Sequence, residues 1–464
     1  MLDSQMIAWQ YAGPLFVQAD WHRCCNNYKA QFTRTNFKTT INEEGAFKVN
    51  SNNEQNTSRS VGMWGLISIF IAYGVTLNTF SVGSAQAGHL PFWNGVLMIA
   101  LGWAGLAIVG TITGNIGYEV GCGAPFAFRA TFGLWGYKIP SILASIALIG
   151  FAAFDYWYVG QALINLFPGI GSAAFYIGIL IIVLAAILGA IKDITSLKWL
   201  TSSTIPIALV LFFIIMFVTI NRGGGMETLM NYQPPLQDTS LLLGANIMFS
   251  CWLSTVPGYM DFTRHAKTRK CVFWAIPLGM LVIGFQYFVG QLGTYAFGIV
   301  DFTSLSAALG GTMGLVCNLF TLFAQANTVP ASTLMITSHL TASLKVPRLA
   351  VIIGQPLIAG ALAIAMFLGA DISIISSFGT IVGYIFAPLL AAIFAEYYVI
   401  GKRSFIEPEA LPRFSSSGII TILVGFILGF VIAGFSAIQI PTAMLLLILC
   451  FVLHIFLRKV VHLK

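Results

Sequence analysis

Charge is what this sequence has least of. Lys plus Arg number 23 and Asp plus Glu 16 in 464 residues, a charged fraction of 8%, against about 25% in a soluble domain. A water-soluble globular chain is excluded on that ground. Apolar runs alternating with a period of two, the mark of a lipid-facing barrel strand, are also missing. There is no G-x-x-x-x-G-K-[ST] stretch for ATP-driven transport. There is no His/Cys pair at zinc-ligand spacing for a metalloenzyme, and no four-fold filter repeat for a channel. Five of the six histidines (His22, His265, His339, His454, His462) fall in the first 58 residues or near expected cytoplasmic ends, and His89 in a short outer loop. Neither an enzyme nor a resident cofactor or metal is expected.

What is present is long, continuous hydrophobicity: 57% of residues are hydrophobic and mean hydropathy is +0.85. Roughly 20 apolar residues span a bilayer as a helix, and helices satisfy their own backbone in lipid. Twelve spans are expected, over about 62–84, 91–116, 139–163, 173–191, 197–220, 241–262, 272–298, 308–340, 348–369, 372–399, 417–436 and 441–458. Residues 1–58, including "NEEGAFKVNSNNEQNTSR", are polar and lack a signal-peptide core. They are expected to form a disordered cytosolic tail.

Charge placement supports this topology. With both termini in the cytoplasm, that side collects Arg129, Lys138, Lys192, Lys198, "RHAKTRK", Lys345, Arg348, "GKR", Arg413 and the C-terminal "LRKVVHLK"; of the 23 basic residues only Arg222 falls outside. Such an excess is the positive-inside pattern of a cell membrane protein. It accounts for the net charge of +7 without nucleic acid as a partner. The seven cysteines, Cys24, Cys25, Cys122, Cys251, Cys271, Cys317 and Cys450, are scattered and read as small hydrophobes or tail residues.

Two spans are interrupted by more than packing glycines. The sixth holds "SCWLSTVPGYMDFTR", where Pro257 removes a backbone donor and Gly258 adds freedom. The first holds "FIAYGVTLNTFSVGS", with a polar Thr-Leu-Asn-Thr stretch. Interruptions at corresponding positions of two halves point to a transporter's midplane site. The eighth span adds "LFAQANTVPAST", with Gln325, Asn327 and Pro330.

Near the middle of the third span, in "SILASIALIGFAAFDYWYVGQALI", stands Asp155 with no basic residue in the stretch. A carboxylate at the bilayer centre costs at least about 2.5–3.5 kcal/mol. Phe151 and Tyr158 lie four before and three after it, near one helical face, and Trp252 precedes the break in the sixth span. Aromatic faces, an amide and an acid suit a flat heterocycle, although an indole or an amine would fit equally. A structural aspartate met by Tyr156 or Trp157 is the plainer alternative. Glu119, Asp193, Asp261 and Glu396 sit near cytoplasmic ends and are read as solvated or inner-gate groups.

At these residues the chain resembles the nucleobase–cation symporter-1 family, which includes cytosine, purine–cytosine, hydantoin and allantoin permeases. "GYEVGCGAPFAFRATFGLWG", "SCWLSTVPGYMDFTRHAK" and "FAEYYVIGKR" carry the likeness. It runs from about residue 60 to 403 and more loosely to the end. The resemblance implies an all-α membrane fold, an inverted five-plus-five helix repeat (LeuT-type) with two added helices. The repeats would fall at about 62–220 and 241–399 in a core over 59–403, and residues 404–464 would supply the last two helices. It implies a substrate sandwiched by Phe151 and Trp252, with Asp155 where the family often has Asn or Gln. Asn327 is the expected amide of the eighth span with Gln325 as its substitute, and Asn78 or Ser81 of the first span complete the set.

The sodium-coupled members carry a hydroxyl pair where the alignment puts Phe323 and Ala324, which offer no side-chain oxygen to a hard cation. Proton coupling through Asp155 is therefore the expectation, sodium the alternative. The resemblance implies a symporter importing a nucleobase such as cytosine or a purine; the chain itself is expected to be a monomer. Allantoin, a hydantoin or a vitamin-precursor pyrimidine, driven by sodium, is the alternative cargo.

Overall fold

A computed structural model of the chain describes residues 59–191, 194–236, 238–369, 374–405, 411–434 and 439–461. The expected tail over 1–58, with Cys24, Cys25 and His22, lies outside these, as do Asp193 and His462. The described part is helical, with a single β-bridge between Val61 and Ala266.

In chain order the helices are α1 (Met63–Gly74), α2 (Leu77–Ala87), α3 (Phe92–Val120), α4 (Ala124–Phe132), α5 (Lys138–Leu166), α6 (Ala173–Ala190), α7 (Ile194–Arg222), α8 (Gly225–Met230) and α9 (Leu241–Trp252). There follow α10 (Tyr259–Thr263), α11 (Arg269–Phe297), α12 (Phe302–Leu309), α13 (Gly311–Leu344), α14 (Arg348–Phe367), α15 (Ile374–Phe394), α16 (Ser416–Gly434) and α17 (Thr442–Val461). Side chains cap several starts: Ser240 accepts from Leu243 N at α9, Thr268 from Cys271 N at α11 and Asp301 from Ser304 N at α12. Gly121 and Gly298 close α3 and α11 at φ 73° and 65°, a left-handed conformation that suits glycine.

Among the described residues, nine helices are long and apolar enough to cross a bilayer, and two bent pairs add one span each if each pair is a single span. The pairs are α1 with α2, bent by 56°, and α9 with Val256–Thr263, bent by 52°. These are the two spans whose polar and proline-containing stretches mark them as interrupted. Length and apolarity thus account for eleven of the twelve expected spans. The remaining one corresponds to α13, 34 residues long but polar through its middle, where Gln325, Asn327, Thr328, Ser332, Thr333 and Thr337 are all buried. It packs against α1, α5, α6 and α7, so protein rather than lipid surrounds these groups. Large apolar side chains such as Ile108, Leu188, Val210, Leu357 and Ile427 point outward, more than half exposed. A hydrocarbon phase covers such a surface without penalty.

The backbone of α2 touches that of α11. A Cβ on Gly83 would lie 2.3 Å from Tyr287 O, and one on Gly290 would lie 2.2 Å from Phe80 O. Small residues permit such approach between membrane helices. The contact matters because α11 also carries Gln286, which reaches the break in the first span. Gly83→Ala is expected to push the helices apart and cut the yield of folded protein several-fold, measured as monodisperse material after detergent extraction. An exposed control, Gly434→Ala, whose Cβ would meet nothing within 4 Å, should leave the yield unchanged.

Candidate substrate site

The break between α1 and α2 begins at Val75 and Thr76, the latter extended at φ −122°, ψ 137°. Leaving the helix strands backbone groups that lipid cannot satisfy, and polar side chains from distant spans meet them. Gln286 Oε1 accepts from Thr76 N at 3.2 Å. The Gln325 amide, oriented so that both its atoms are satisfied, accepts from Leu77 N at 3.1 Å and donates to Asp155 Oδ1 at 3.1 Å. Thr328 Oγ1 lies 2.8 Å from Ala72 O, 2.6 Å from Val75 O and 3.2 Å from Ala324 O. The polar residues of α13 thus hold the first span open.

Asp155 belongs to the same network. It is 3% exposed, and its Oδ1 also accepts from Thr76 Oγ1 at 2.5 Å. The donors are a broken-helix hydroxyl and a glutamine amide, so the simpler expectation of Tyr156 or Trp157 as its partner is corrected. Both hydrogen bonds fall on one oxygen, and no hydrogen bond from the described residues reaches Oδ2.

Beside Asp155 lies a cavity of about 40 Å³, lined among others by Tyr73, Asn78, Phe151, Trp252, Thr255 and Tyr287. A water needs roughly 10–15 Å³ on this measure, so the space holds a few waters; a heterocycle requires the walls to part. Its position beside both breaks supplies the means, since α1, α2 and α9 can each pivot where their hydrogen-bond ladders stop. Trp252 ends α9 at the second break and meets Tyr73 edge-on, ring centres 5.9 Å apart. Phe151 meets Phe378 at 5.0 Å.

Of the residues expected to bind substrate, Phe151, Asp155, Trp252 and Asn78 line this cavity. Asn78 Nδ2 donates to Phe151 O at 3.0 Å, leaving its buried Oδ1 without a partner. Gln325 stands behind Asp155. Ser81 does not line the cavity; its hydroxyl pairs with Tyr158 OH, tying α2 to α5. Asn327 does not line it either. Its Oδ1 accepts from Thr204 Oγ1 of α7 at 2.5 Å and its Nδ2 donates to Phe323 O at 2.6 Å. Asn327 therefore braces α13 against α7, and the amide beside Asp155 is Gln325. Sequence reasoning missed Tyr73, Thr76, Thr255, Tyr287 and Thr328. The quoted "TLNT" contained Thr76 and offered a signal for it.

Oxygen atoms do gather close to the Phe323–Ala324 position. Phe323 and Ala324 carry no side-chain oxygen, yet Thr328, one turn further on, places a hydroxyl among three carbonyls. One hydroxyl proton serves a single carbonyl at a time, and four oxygens converging at a buried break are the donor type of a hard cation.

The acids at the other end of the spans are less solvated than expected. Glu396 is 2% exposed and sits in a π-helical stretch, Ala395–Ile400, following α15. It accepts from Arg458 Nη2 at 2.7 Å and Nε at 3.2 Å, with His454 Nε2 at 3.2 Å, so it anchors α17. Asp261, 7% exposed, accepts from Ser338 Oγ at 2.8 Å and faces His339 Nε2 at 3.8 Å. Glu119 pairs with Arg269 at 3.3 Å and accepts from Tyr397 OH at 2.7 Å. Among the described residues no group of three or more His, Cys, Asp or Glu could hold a metal.

The sequence profile of permeases for cytosine/purines, uracil, thiamine and allantoin matches residues 54–407. The chain belongs to that family. It is accordingly a multi-pass membrane permease. A hydantoin permease from Microbacterium maritypicum is 19% identical over 375 residues, covering 74% of each chain. An uncharacterized permease of Schizosaccharomyces pombe is 22% identical over 163 residues, or 33% of this chain and 28% of that one. In structure, the chain is similar to Mhp1, a nucleobase-cation-symport-1 family transporter solved closed with bromovinylhydantoin bound. The TM-score is 0.71 at 17% identity, over 86% of this chain and 92% of that one. A Na+-coupled sialic acid symporter matches with TM-score 0.59 at 14% identity, over 96% and 97%. The permease fold expected from the sequence is thus the fold of the chain.

Proposed function

We propose that this permease imports a flat nitrogen heterocycle of the nucleobase type, such as cytosine or a purine, together with a proton carried by Asp155. The observation that carries the reading is a buried, unpaired carboxylate in an aromatic-walled cavity, hydrogen-bonded to the residue at which the first span breaks. Trp252 and Phe151 stack on the cargo, while Asp155 and Asn78 read its edge. Gain or loss of the Asp155 proton alters its bonds to Thr76 and Gln325. Those two residues hold the break, so protonation biases the angle between α1 and α2 and with it the side to which the cavity opens. A monomer contains every group this cycle uses.

A second reading keeps the fold and exchanges cargo and ion: a hydantoin- or allantoin-like substrate moved with sodium. The oxygens around Thr328 favour it, as does the hydantoin permease relative. Uptake of labelled cytosine into a host lacking nucleobase transporters, at acid and neutral pH and with potassium replacing sodium, separates the two. Acid-stimulated uptake that survives sodium removal is expected. Uptake abolished by sodium removal and restored by its return would instead give the driving ion as sodium, with Thr328 among its ligands.

A further inference from the structure

At the end of the spans expected to face the cytoplasm, three buried polar atoms have no hydrogen-bond partner among the described residues: Asp261 Oδ2 and both ring nitrogens of His339. Two of them face each other. His339 Nε2 stands 3.8 Å from Asp261 Oδ2, beyond a hydrogen bond but within reach of an ion pair. His339 is fully buried and packs edge-on against Phe128 of α4, ring centres 5.5 Å apart. Asp261 is fixed through its other oxygen: Ser338 Oγ donates to Oδ1 at 2.8 Å, and a Cβ on Gly123 would lie 2.1 Å from the same atom. The other charged groups of this end are engaged nearby. Arg129 of α4 lies over the Tyr137 ring at 5.9 Å, Glu119 of α3 pairs with Arg269, and Arg264 Nε donates to His265 Nε2 at 3.1 Å.

Asp261 and His339 join parts that can move apart. Asp261 lies on α10, the short inner half of the sixth span, which follows the 52° bend. His339 lies on α13, one continuous helix of 34 residues. We propose that the two residues form a second proton site, which when occupied clamps α10 to α13 and holds the inner end shut. A neutral imidazole presents one N–H and leaves its other nitrogen bare, whereas a bound proton makes both nitrogens donors. The facing pair then becomes an imidazolium and a carboxylate, whose hydrogen bond is about twice as strong as a neutral one. The proton therefore favours the closed arrangement, and it leaves as α10 lifts and water reaches the ring. Imidazole suits the task because its charge ordinarily changes between about pH 5 and pH 8. The clamp answers to the pH at the inner end and needs neither the cargo nor Asp155.

Hydrogen exchange read by mass spectrometry on the full-length protein in nanodiscs tests it. The amides of Arg264, His265 and Ala266 donate to Met260 O, Phe262 O and Thr263 O, so they exchange when α10 lifts and frays. Corrected for the intrinsic effect of pH on exchange, their protection is expected to be greater by about tenfold or more at about pH 5.5 than at about pH 8. His339→Gln keeps a neutral donor and Asp261→Asn keeps an acceptor for Ser338; each should erase the difference, and Asp155→Asn should keep it. Equal protection at both pH values in the unaltered protein would overturn the clamp, as would a difference that survives in either His339→Gln or Asp261→Asn. A difference lost in Asp155→Asn would assign it to the central carboxyl instead, and overturn the second site.

Discussion

Asp155→Asn is expected to abolish concentrative uptake, lowering it at least about 100-fold at acid pH, and to remove what pH dependence the unaltered protein shows. The substitution keeps the size of the side chain and leaves an oxygen for the Thr76 hydroxyl at the place where 2.5 Å is now observed. What it removes is the exchangeable proton. If protons drive transport, they must reach the carboxyl from the outside, so the unaltered protein should work best at acid pH and lose activity as pH rises. The variant should be flat across the same range. Asp155→Ala should do further harm, because it strands the Thr76 hydroxyl and the Gln325 amide in a buried place, at about 1–3 kcal/mol each. Comparing the two by thermal unfolding in detergent separates the loss of the proton from the loss of the fold. A pH-independent wild type with full activity in Asp155→Asn would assign the residue a structural role.

The second large effect is expected at Trp252. Stacking of a base on an aromatic side chain is worth about 1–3 kcal/mol by alanine substitution, so Trp252→Ala should raise the dissociation constant of the cargo about 5- to 150-fold. Trp252→Phe, which retains a ring opposite Tyr73, should recover part of that. The effect should be the same at acid and neutral pH, because no ionisable group is altered. Isothermal titration or scintillation proximity binding would read it directly. Unchanged affinity in Trp252→Ala would mean that the cargo does not lie against the end of α9.

Much of this site is legible in the sequence because the bilayer makes polar groups conspicuous. Asp155 announces itself by its cost, Pro257 and Gly258 by the donor they withhold, and "TLNT" by interrupting an apolar run. The choice between Gln325 and Asn327 was not legible. Two residues along a helix turn the side chain through about 200°, so one faces the cavity side and the other α7, and the rotation of α13 is set by packing from four other helices. Gln325 and Thr328, three apart, share a face, which is why both reach the first break and Asn327 does not. The role of Thr76 depends on an extended residue between two helices, a conformation that tertiary partners such as Gln286 maintain. The burial of Glu396 was hidden for a similar reason: its partners, His454 and Arg458, lie on the last helix, far along the chain.

On the proposed cycle, a protonated Asp155 travels with a heterocyclic cargo. The most direct test is uptake of labelled cytosine into proteoliposomes containing the full-length protein, with a pH gradient imposed, acid outside, in sodium-free buffer. Accumulation above equilibrium that collapses on adding a protonophore, and that is lost in Asp155→Asn, is the predicted result. Accumulation driven only by an inward sodium gradient, unaffected by the protonophore and retained in Asp155→Asn, would contradict it.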